Sequence, residues 1–533
     1  MIDGRHARHR TATASDTVKT TRPDREPQVA RRPRLAEDRQ VGLLVGDVIR
    51  SAARAVPHRV AATMGDGALT FAEVDHRSNR VARAFAATGI GHGDRVAWWG
   101  ETSLEAMAIF GALAKLGAVF MPVNARLGAD EASDVLAYAK PRLLVVDSAH
   151  AEAATGPAMS IGATPVLTHA ELFEAASSED ALDVAAPDLV ELDAHVIFFT
   201  SGSTGRPKGV VLSHRTSFLR SFPNLLADDR GGTVCMFPLF HMAGWSMTMN
   251  AWQMRGAIHF AAPDAASILA TADRRRATRL YCIPAVWWRV LEHDRSAYDL
   301  TSVEVCDTGT SATPPELLHA IKEEFPGTIT RVYYGSTEAG PAALLGDDDL
   351  FTRPGAVGLP PPTVELRLTD GGEVCVRSEL LMDGYFEHPE ATAEALRPLE
   401  PDGPVWYHTG DLGSFDGDGY LSIVGRARDV LRSGGETIAP GEVEAVLADH
   451  PGIVEVAVVG IPDPEWGEIV CAVVVPDLDA GHALDVESLR RHCEGRLAPF
   501  KHPRRVEVID ALPRTAATGQ IQRALLVTRI AGT

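Results

Sequence analysis

Phe198-Phe199-Thr200-Ser201-Gly202-Ser203-Thr204-Gly205-Arg206-Pro207-Lys208-Gly209-Val210 leads from apolar residues into a loop dense in Gly, Ser and Thr, and out again into Val210-Val211-Leu212. β-prone residues on both sides predict strands joined by a functional loop rather than a flexible linker. Glycines let the backbone adopt positive φ and approach an anion closely. Successive N–H groups can then form a nest for phosphate oxygens. The hydroxyls of Thr200, Ser201, Ser203 and Thr204 add donors, and Lys208 adds positive charge. Gly209 follows the lysine where an NTPase P-loop needs Ser or Thr, so this is a phosphate loop of another kind.

Outward from this loop, short β-rich runs alternate with helical ones: Arg95–Trp99, Leu104–Leu116, Val119–Val123, Arg142–Val146 and His195–Phe199. The alternation predicts an α/β fold with a largely parallel sheet. Further strands are expected at Thr363–Leu368, Glu373–Val376 and Tyr420–Val424. After Gly425–Asp429 the character changes. A helix is expected at Glu442–Leu447, strands at Val454–Val459 and Val470–Val475, a helix at Val486–Leu497 and a strand at Arg505–Val508. Residues 41–427 thus read as a large α/β region made of several subdomains. Residues 428–533 read as a small α+β domain. Residues 1–40 are rich in Arg, Thr, Asp and Pro and poor in apolar side chains, which predicts a disordered tail without the apolar core of a secretion signal.

The chain has 533 residues, so more than one domain is expected. Its net charge of −20 disfavours nucleic acid and anionic membranes as partners and suits a cytoplasmic protein. The longest apolar stretch, Ala106 to Val123, is broken by Gly111, Lys115, Gly117 and Pro122. It reads as a buried helix followed by a strand, not a membrane span. The scattered Cys235, Cys282, Cys306, Cys375, Cys471 and Cys493 suggest neither a disulfide framework nor a zinc site. Lysine is rare, confined to Lys19, Lys115, Lys140, Lys208, Lys322 and Lys501.

More motifs follow in order: Pro238-Leu239-Phe240-His241-Met242-Ala243-Gly244, Asp307-Thr308-Gly309-Thr310-Ser311, Tyr333-Tyr334-Gly335-Ser336-Thr337-Glu338, Trp406-Tyr407-His408-Thr409-Gly410-Asp411, Gly425-Arg426-Ala427-Arg428-Asp429, Ser433-Gly434-Gly435-Glu436 and Trp466-Gly467-Glu468. Together with the Thr200–Gly209 loop they resemble the adenylate-forming superfamily of acyl-CoA synthetases, peptide-synthetase adenylation domains and luciferases. The resemblance spans roughly residues 45–525.

The resemblance implies an AMP-forming acid–CoA ligase. A carboxylic acid would be activated by ATP as its acyl-AMP and then passed to CoA, with Mg²⁺ as cofactor. Thr200, Ser201, Gly202, Ser203, Thr204, Gly205 and Lys208 would hold phosphate. Gly309, Tyr334 and Gly335 would border adenine, Thr337 would meet the α-phosphate, and Glu338 would bind Mg²⁺, which prefers hard oxygen ligands. Asp411 would accept from the ribose hydroxyls, and Arg426 would contact the nucleotide. His241 would stand between the acyl pocket and the CoA tunnel, with Trp245, Thr308, Thr310 and Tyr333 as further pocket residues. Ser433, Gly434 and Gly435 would line the tunnel after the small domain turns about Arg428.

One match fails. The C-terminal signature of the superfamily, P-R-T-x-x-G-K, here reads Pro513-Arg514-Thr515-Ala516-Ala517-Thr518-Gly519-Gln520, with one extra residue and Gln520 in place of the catalytic lysine. Two rival readings therefore stay open. The activated acyl group could pass to a nitrogen nucleophile, forming an amide or N–N bond, or to a carrier protein. Alternatively the chain could be a catalytically impaired binder of nucleotide or acyl-adenylate. Arg514 and Arg523 are the cations that could stand in for the lysine.

Overall fold

The computed structural model describes residues 42–156, 165–201, 207–222, 231–433, 436–464, 466–478, 480–514 and 520–531. The Arg-rich tail expected at 1–40 lies outside them, as do Gly202, Ser203, Thr204, Gly205, Gly434 and Gly435.

Local sequence sets many element ends. In helix Leu104–Leu116 the Ser103 side chain accepts the Ala106 N–H, and Gly117 closes the helix at φ 76°. Every residue from Ala106 to Lys115 is buried, because the helix is covered on all sides. Strand Val119–Val123 follows it, as expected. Lys115 is fully buried, and its ammonium donates to Asp75 at 2.7 Å, Ser78 at 2.7 Å and Asn79 at 2.8 Å. Burial lowers its pKa to about 8, with Asp75 opposing the fall.

Four sheets are present among the described residues. One seven-stranded sheet is parallel through Val166–Thr168, Leu143–Val146, Arg95–Trp99, Val119–Val123 and Ala194–Ser201. It ends in two antiparallel partners, Pro207–Ser213 and Gly384–Tyr385. The eight-stranded sheet is parallel in its middle, through Ile258–Phe260, Thr233–Cys235, Arg279–Tyr281, Val305–Gly309 and Ile329–Ser336. Residues from both sheets and their helices share the largest core cluster.

The third sheet departs from the parallel expectation. Strands Ala356–Gly358, Val364–Leu368, Glu373–Ser378, Val405–Phe415 and Leu421–Arg426 pair antiparallel throughout. The fourth sheet is built on the long hairpin of Ile453–Asp463 and Gly467–Pro476, with Arg505–Val508 added in parallel. Helices Pro440–Ala448 and Val486–Cys493 cover one face and Arg523–Ala531 the other. The helix expected to reach Leu497 stops at Cys493, because Gly495 turns the chain at φ 73°. The whole is a large N-terminal α/β region with a smaller C-terminal domain. Among the described residues no helix is long and apolar enough to cross a membrane.

Candidate active site

The strand entering the candidate phosphate loop and the strand leaving it form one antiparallel pair, with Thr200 opposite Lys208 and Ser201 opposite Pro207. The loop thus starts and ends on adjacent strands. The Thr200 hydroxyl donates to the Lys208 carbonyl at 3.4 Å. Lys208 Nζ lies over the Tyr385 ring, 4.9 Å from its centre, and the Tyr385 hydroxyl donates to Glu338 Oε1 at 3.1 Å. One tyrosine therefore joins the loop cation to the candidate metal-binding carboxylate. Burial, and then the neighbouring Glu338 carboxylate, raise the Tyr385 pKa, so the phenol remains a donor.

Glu338 and Thr337 sit on a turn between strands Ile329–Ser336 and Gly340–Leu345. Arg220 clamps that turn from below. Its Nη1 donates to the Thr337 carbonyl and its Nη2 to the Glu338 carbonyl, both at 2.7 Å, while Nε donates to the Leu380 carbonyl at 2.6 Å. Met382 N–H gives Glu338 a second backbone bond at 2.8 Å. Gly335 is needed for space, since a Cβ there would lie 2.2 Å from the Gly340 carbonyl oxygen.

Asp411 and Arg426 are register partners on neighbouring strands, and Arg426 Nε lies 2.6 Å from Asp411 Oδ1. The Tyr334 hydroxyl donates to Asp411 Oδ2 at 2.7 Å. Glu373 braces the turn before Asp411, accepting from Gly410 N–H at 3.0 Å and lying 3.0 Å from His408 Nδ1. Cys375 Sγ is 3.4 Å from the same nitrogen. Glu373, Cys375 and His408 thus come within metal-ligand reach of one another, a cluster that their separation in sequence did not suggest. Burial raises the Cys375 pKa to about 12, so as it stands the sulfur is a thiol.

His241 caps helix Met242–Gln253, with Nδ1 accepting from Ala243 N–H at 3.2 Å. That bond leaves the proton on Nε2. Burial lowers its pKa to about 4, so the ring is neutral near pH 7. Phe237 stacks beside it at 6.2 Å, Tyr281 meets Phe237 edge-on at 5.3 Å, and Tyr333 stacks on Tyr281 at 5.6 Å. Thr308 and Thr310 lie at the end of the neighbouring strand, each with a buried hydroxyl lacking a partner. Gly309 between them has φ 147°. Trp245 corrects the sequence reading. It is buried in the core, stacked on Phe110 at 3.9 Å with its indole N–H on the Leu239 carbonyl, so it is a packing residue.

Ser433 is buried on strand Leu431–Ser433 of the small domain. Gln520 is exposed, directly after the undescribed residues 515–519. The two arginines considered as substitutes for the lysine are already engaged. Arg514 pairs with Glu455 at 2.9 Å. Arg523 makes two bonds to Glu444, at 2.7 and 2.8 Å, and reaches Asp429 at 3.5 Å.

Sequence reading missed Arg220, Tyr385 and Glu373. Tyr385 follows Asp383-Gly384 in a short motif that was open to notice. Arg220 carries no local signal, since its acceptors are carbonyls far along the chain.

Residues 49–386 match the AMP-binding enzyme family, and residues 442–518 match the AMP-binding enzyme C-terminal domain, ending just before Gln520. A feruloyl-CoA synthase from Amycolatopsis sp is 36% identical over 495 residues, covering 88% of this chain and 97% of that protein. A 3-[(3aS,4S,7aS)-7a-methyl-1,5-dioxo-octahydro-1H-inden-4-yl]propanoyl:CoA ligase from Rhodococcus jostii (strain RHA1) is 33% identical over 509 residues, covering 90% and 97%. Among solved structures, ATP-bound MatB from Rhodopseudomonas palustris superposes with a TM-score of 0.82 at 29% identity, covering 91% of this chain and 99% of that one. The chain belongs to the AMP-binding enzyme family, carries both of its domains, and is an enzyme of the AMP-forming acid–CoA ligase class.

Proposed function

We propose that this enzyme activates a ring-bearing carboxylic acid with ATP and passes the acyl group to CoA. The observation that carries the reading is the Lys208–Tyr385–Glu338 chain, which joins the phosphate loop to the turn bearing Glu338. A carboxylate oxygen of the acid attacks the α-phosphorus of ATP, the bond to the β-phosphate breaks, and pyrophosphate leaves. The CoA thiolate then attacks the acyl carbonyl carbon, and AMP departs with the electrons of the acyl–oxygen bond.

Lys208 and the loop donors would hold the phosphates, Tyr334 would border adenine, and Asp411, positioned by Arg426 and Glu373, would accept from the ribose. A Mg²⁺ ion fits Glu338, an oxygen donor next to the phosphate loop, and would offset polyphosphate charge when bound. His241, neutral at working pH, would separate the acyl pocket from the CoA tunnel as a wall and N–H donor. The small domain, beginning at Arg428, would turn between the two half-reactions. The ring is supported by both relatives above, which are named for ring-bearing acids, and by the flat faces of Phe237, Tyr281 and Tyr333.

The test is an acid panel with ATP, Mg²⁺ and CoA, scored for pyrophosphate and thioester. Expected is acid-dependent pyrophosphate with CoA-dependent AMP release, both abolished in Glu338→Gln. Acyl transfer to amines but not to CoA would give the enzyme a nitrogen acceptor. ATP binding with no pyrophosphate from any acid would make the chain a binder.

A further inference from the structure

Beneath the aromatic pocket lies a charge cluster that the activation chemistry does not use. Asp307 is fully buried between two arginines on the flanking strands. Arg331 donates to it through Nε at 2.8 Å and Nη2 at 3.0 Å, and Arg279 donates through Nε. The remaining Arg279 bond runs from Nη2 to the Tyr333 hydroxyl at 3.4 Å. Among the described residues, no protein acceptor is seen for the Nη1 group of either arginine. Two guanidinium groups thus face one carboxylate, leaving one positive charge uncompensated in a largely buried place. Burial opposes the charge on Arg279, yet Asp307 overrides it, and the guanidinium is held protonated.

The cluster faces the pocket. Tyr281, Asp307 and Arg331 are register partners, and Cys235 is the partner of Tyr281 on its other side. Partners in a sheet project to the same face. Cys235 Sγ lies 3.9 Å from Met247 Sδ, which puts helix Met242–Gln253, the helix capped by His241, over that face. Arg279 precedes Tyr281 by two residues, so it lies about 7 Å further from the C-terminal strand ends that carry Gly309 and Gly335. An acid whose reacting carboxylate sat at those ends and whose body ran along this face would bring its far end to Arg279.

We propose that the acid this enzyme activates carries an oxygen acceptor at the end distal to its reacting carboxylate, held by Arg279 with Tyr333, and that an anionic oxygen is preferred to a neutral one. The inference rests on the acid-activating reading above and narrows its substrate class. A buried hydrogen-bonding group discriminates strongly against ligands that leave it unpaired. The uncompensated charge makes that discrimination electrostatic as well.

The test measures binding, so it does not depend on turnover. Three 5′-O-sulfamoyladenosine probes are compared by calorimetry: the cinnamoyl compound, its para-hydroxy form and its para-carboxy form. Wild type is expected to bind both oxygenated probes more tightly than the cinnamoyl probe, the para-carboxy form by roughly tenfold or more. Arg279→Met leaves Asp307 and Arg331 as a balanced pair and should bring the ratio close to one. Arg279→Lys keeps the charge and should keep a preference for the para-carboxy form. Equal wild-type binding of all three probes, or a preference that survives Arg279→Met, overturns the proposal. If none of the three binds, the ring-bearing substrate class proposed above falls, and this inference with it.

Discussion

Arg220 shows how a residue can matter to this site without facing a ligand. Its buried guanidinium holds three backbone carbonyls, two of them on Thr337 and Glu338. Burial lowers its pKa to about 10, with Glu338 and Asp383 opposing the fall, so it stays charged at neutral pH. Arg220→Met would take the arginine donor from the Thr337 and Leu380 carbonyls, while Glu338 keeps the Met382 N–H, so at about 1 kcal/mol each roughly 2 kcal/mol is lost. The expected result is a lower melting temperature and a raised Mg²⁺ requirement for pyrophosphate release; an unchanged Mg²⁺ titration would show that the clamp does not position Glu338. Gln520 poses the opposite problem, since by the resemblance it would stand where the superfamily carries a ligand-facing lysine. Arg514 and Arg523 are held in ion pairs within the small domain, so neither is free to replace it in this arrangement. Gln520→Lys with Ala517 deleted should speed adenylation by roughly 10²–10³, the usual worth of one such electrostatic donor. Thioester formation from preformed acyl-adenylate should change far less. Equal gains in both half-reactions would mean that the residue acts through folding and not on the α-phosphate.

Strands Val305–Gly309 and Ile329–Ser336 pair in parallel and end where the proposed adenine and acyl sides of the site would meet. A Cβ on Gly309 would lie 2.3 Å from the Tyr333 carbonyl oxygen, and its φ of 147° excludes ordinary side chains. Gly309→Ala must therefore push two central strands apart. About 3 kcal/mol of stability should be lost, together with acyl-adenylate binding; urea unfolding with calorimetry checks both, and a variant that binds normally would show that this approach is not needed. Elements like these were only partly legible in the sequence. Leu104–Leu116 was read to the residue because Ser103 and Gly117 mark its ends chemically. The antiparallel pairing of Val405–Phe415 with Leu421–Arg426 was not, although each carries a motif, because pairing is a long-range choice that local pattern does not encode. The nucleotide motifs were legible because each keeps its chemistry within a few consecutive residues. The Arg279–Asp307–Arg331 cluster was not, since its members come from three strands and each alone reads as an ordinary strand charge.

Several histidines buried as neutral rings give the molecule as a whole a defined response to acid. His195 and His214 lie with ring centres 4.9 Å apart, and His214 Nδ1 accepts the Val45 N–H at 3.2 Å. Burial, and then the charge that His214 would carry, push the His195 pKa well below its ordinary value. Burial pushes His214 to about 4 against the pull of Asp193, and burial alone takes His241 to about 4. In the unfolded chain these rings titrate near ~6.5. Below that value the unfolded state binds protons that the folded state refuses, so stability is fully present above it and falls as pH drops toward the folded values. For His214 alone the loss by about pH 4 is about 3 kcal/mol. His150 works in the other direction. Burial opposes its charge, but the bond to Asp147 raises its pKa, so its contribution is present at low pH and lost as pH rises. It cannot cancel three depressed histidines. Urea midpoints should therefore decline steadily from about pH 7 to about pH 4.5. The decline should be shallower in His195→Phe, which keeps a ring against Phe110 and removes one proton-refusing site. Equal slopes in the two proteins would place the acid sensitivity elsewhere, in the carboxylates, and a flat wild-type profile would mean that these rings do not stay buried.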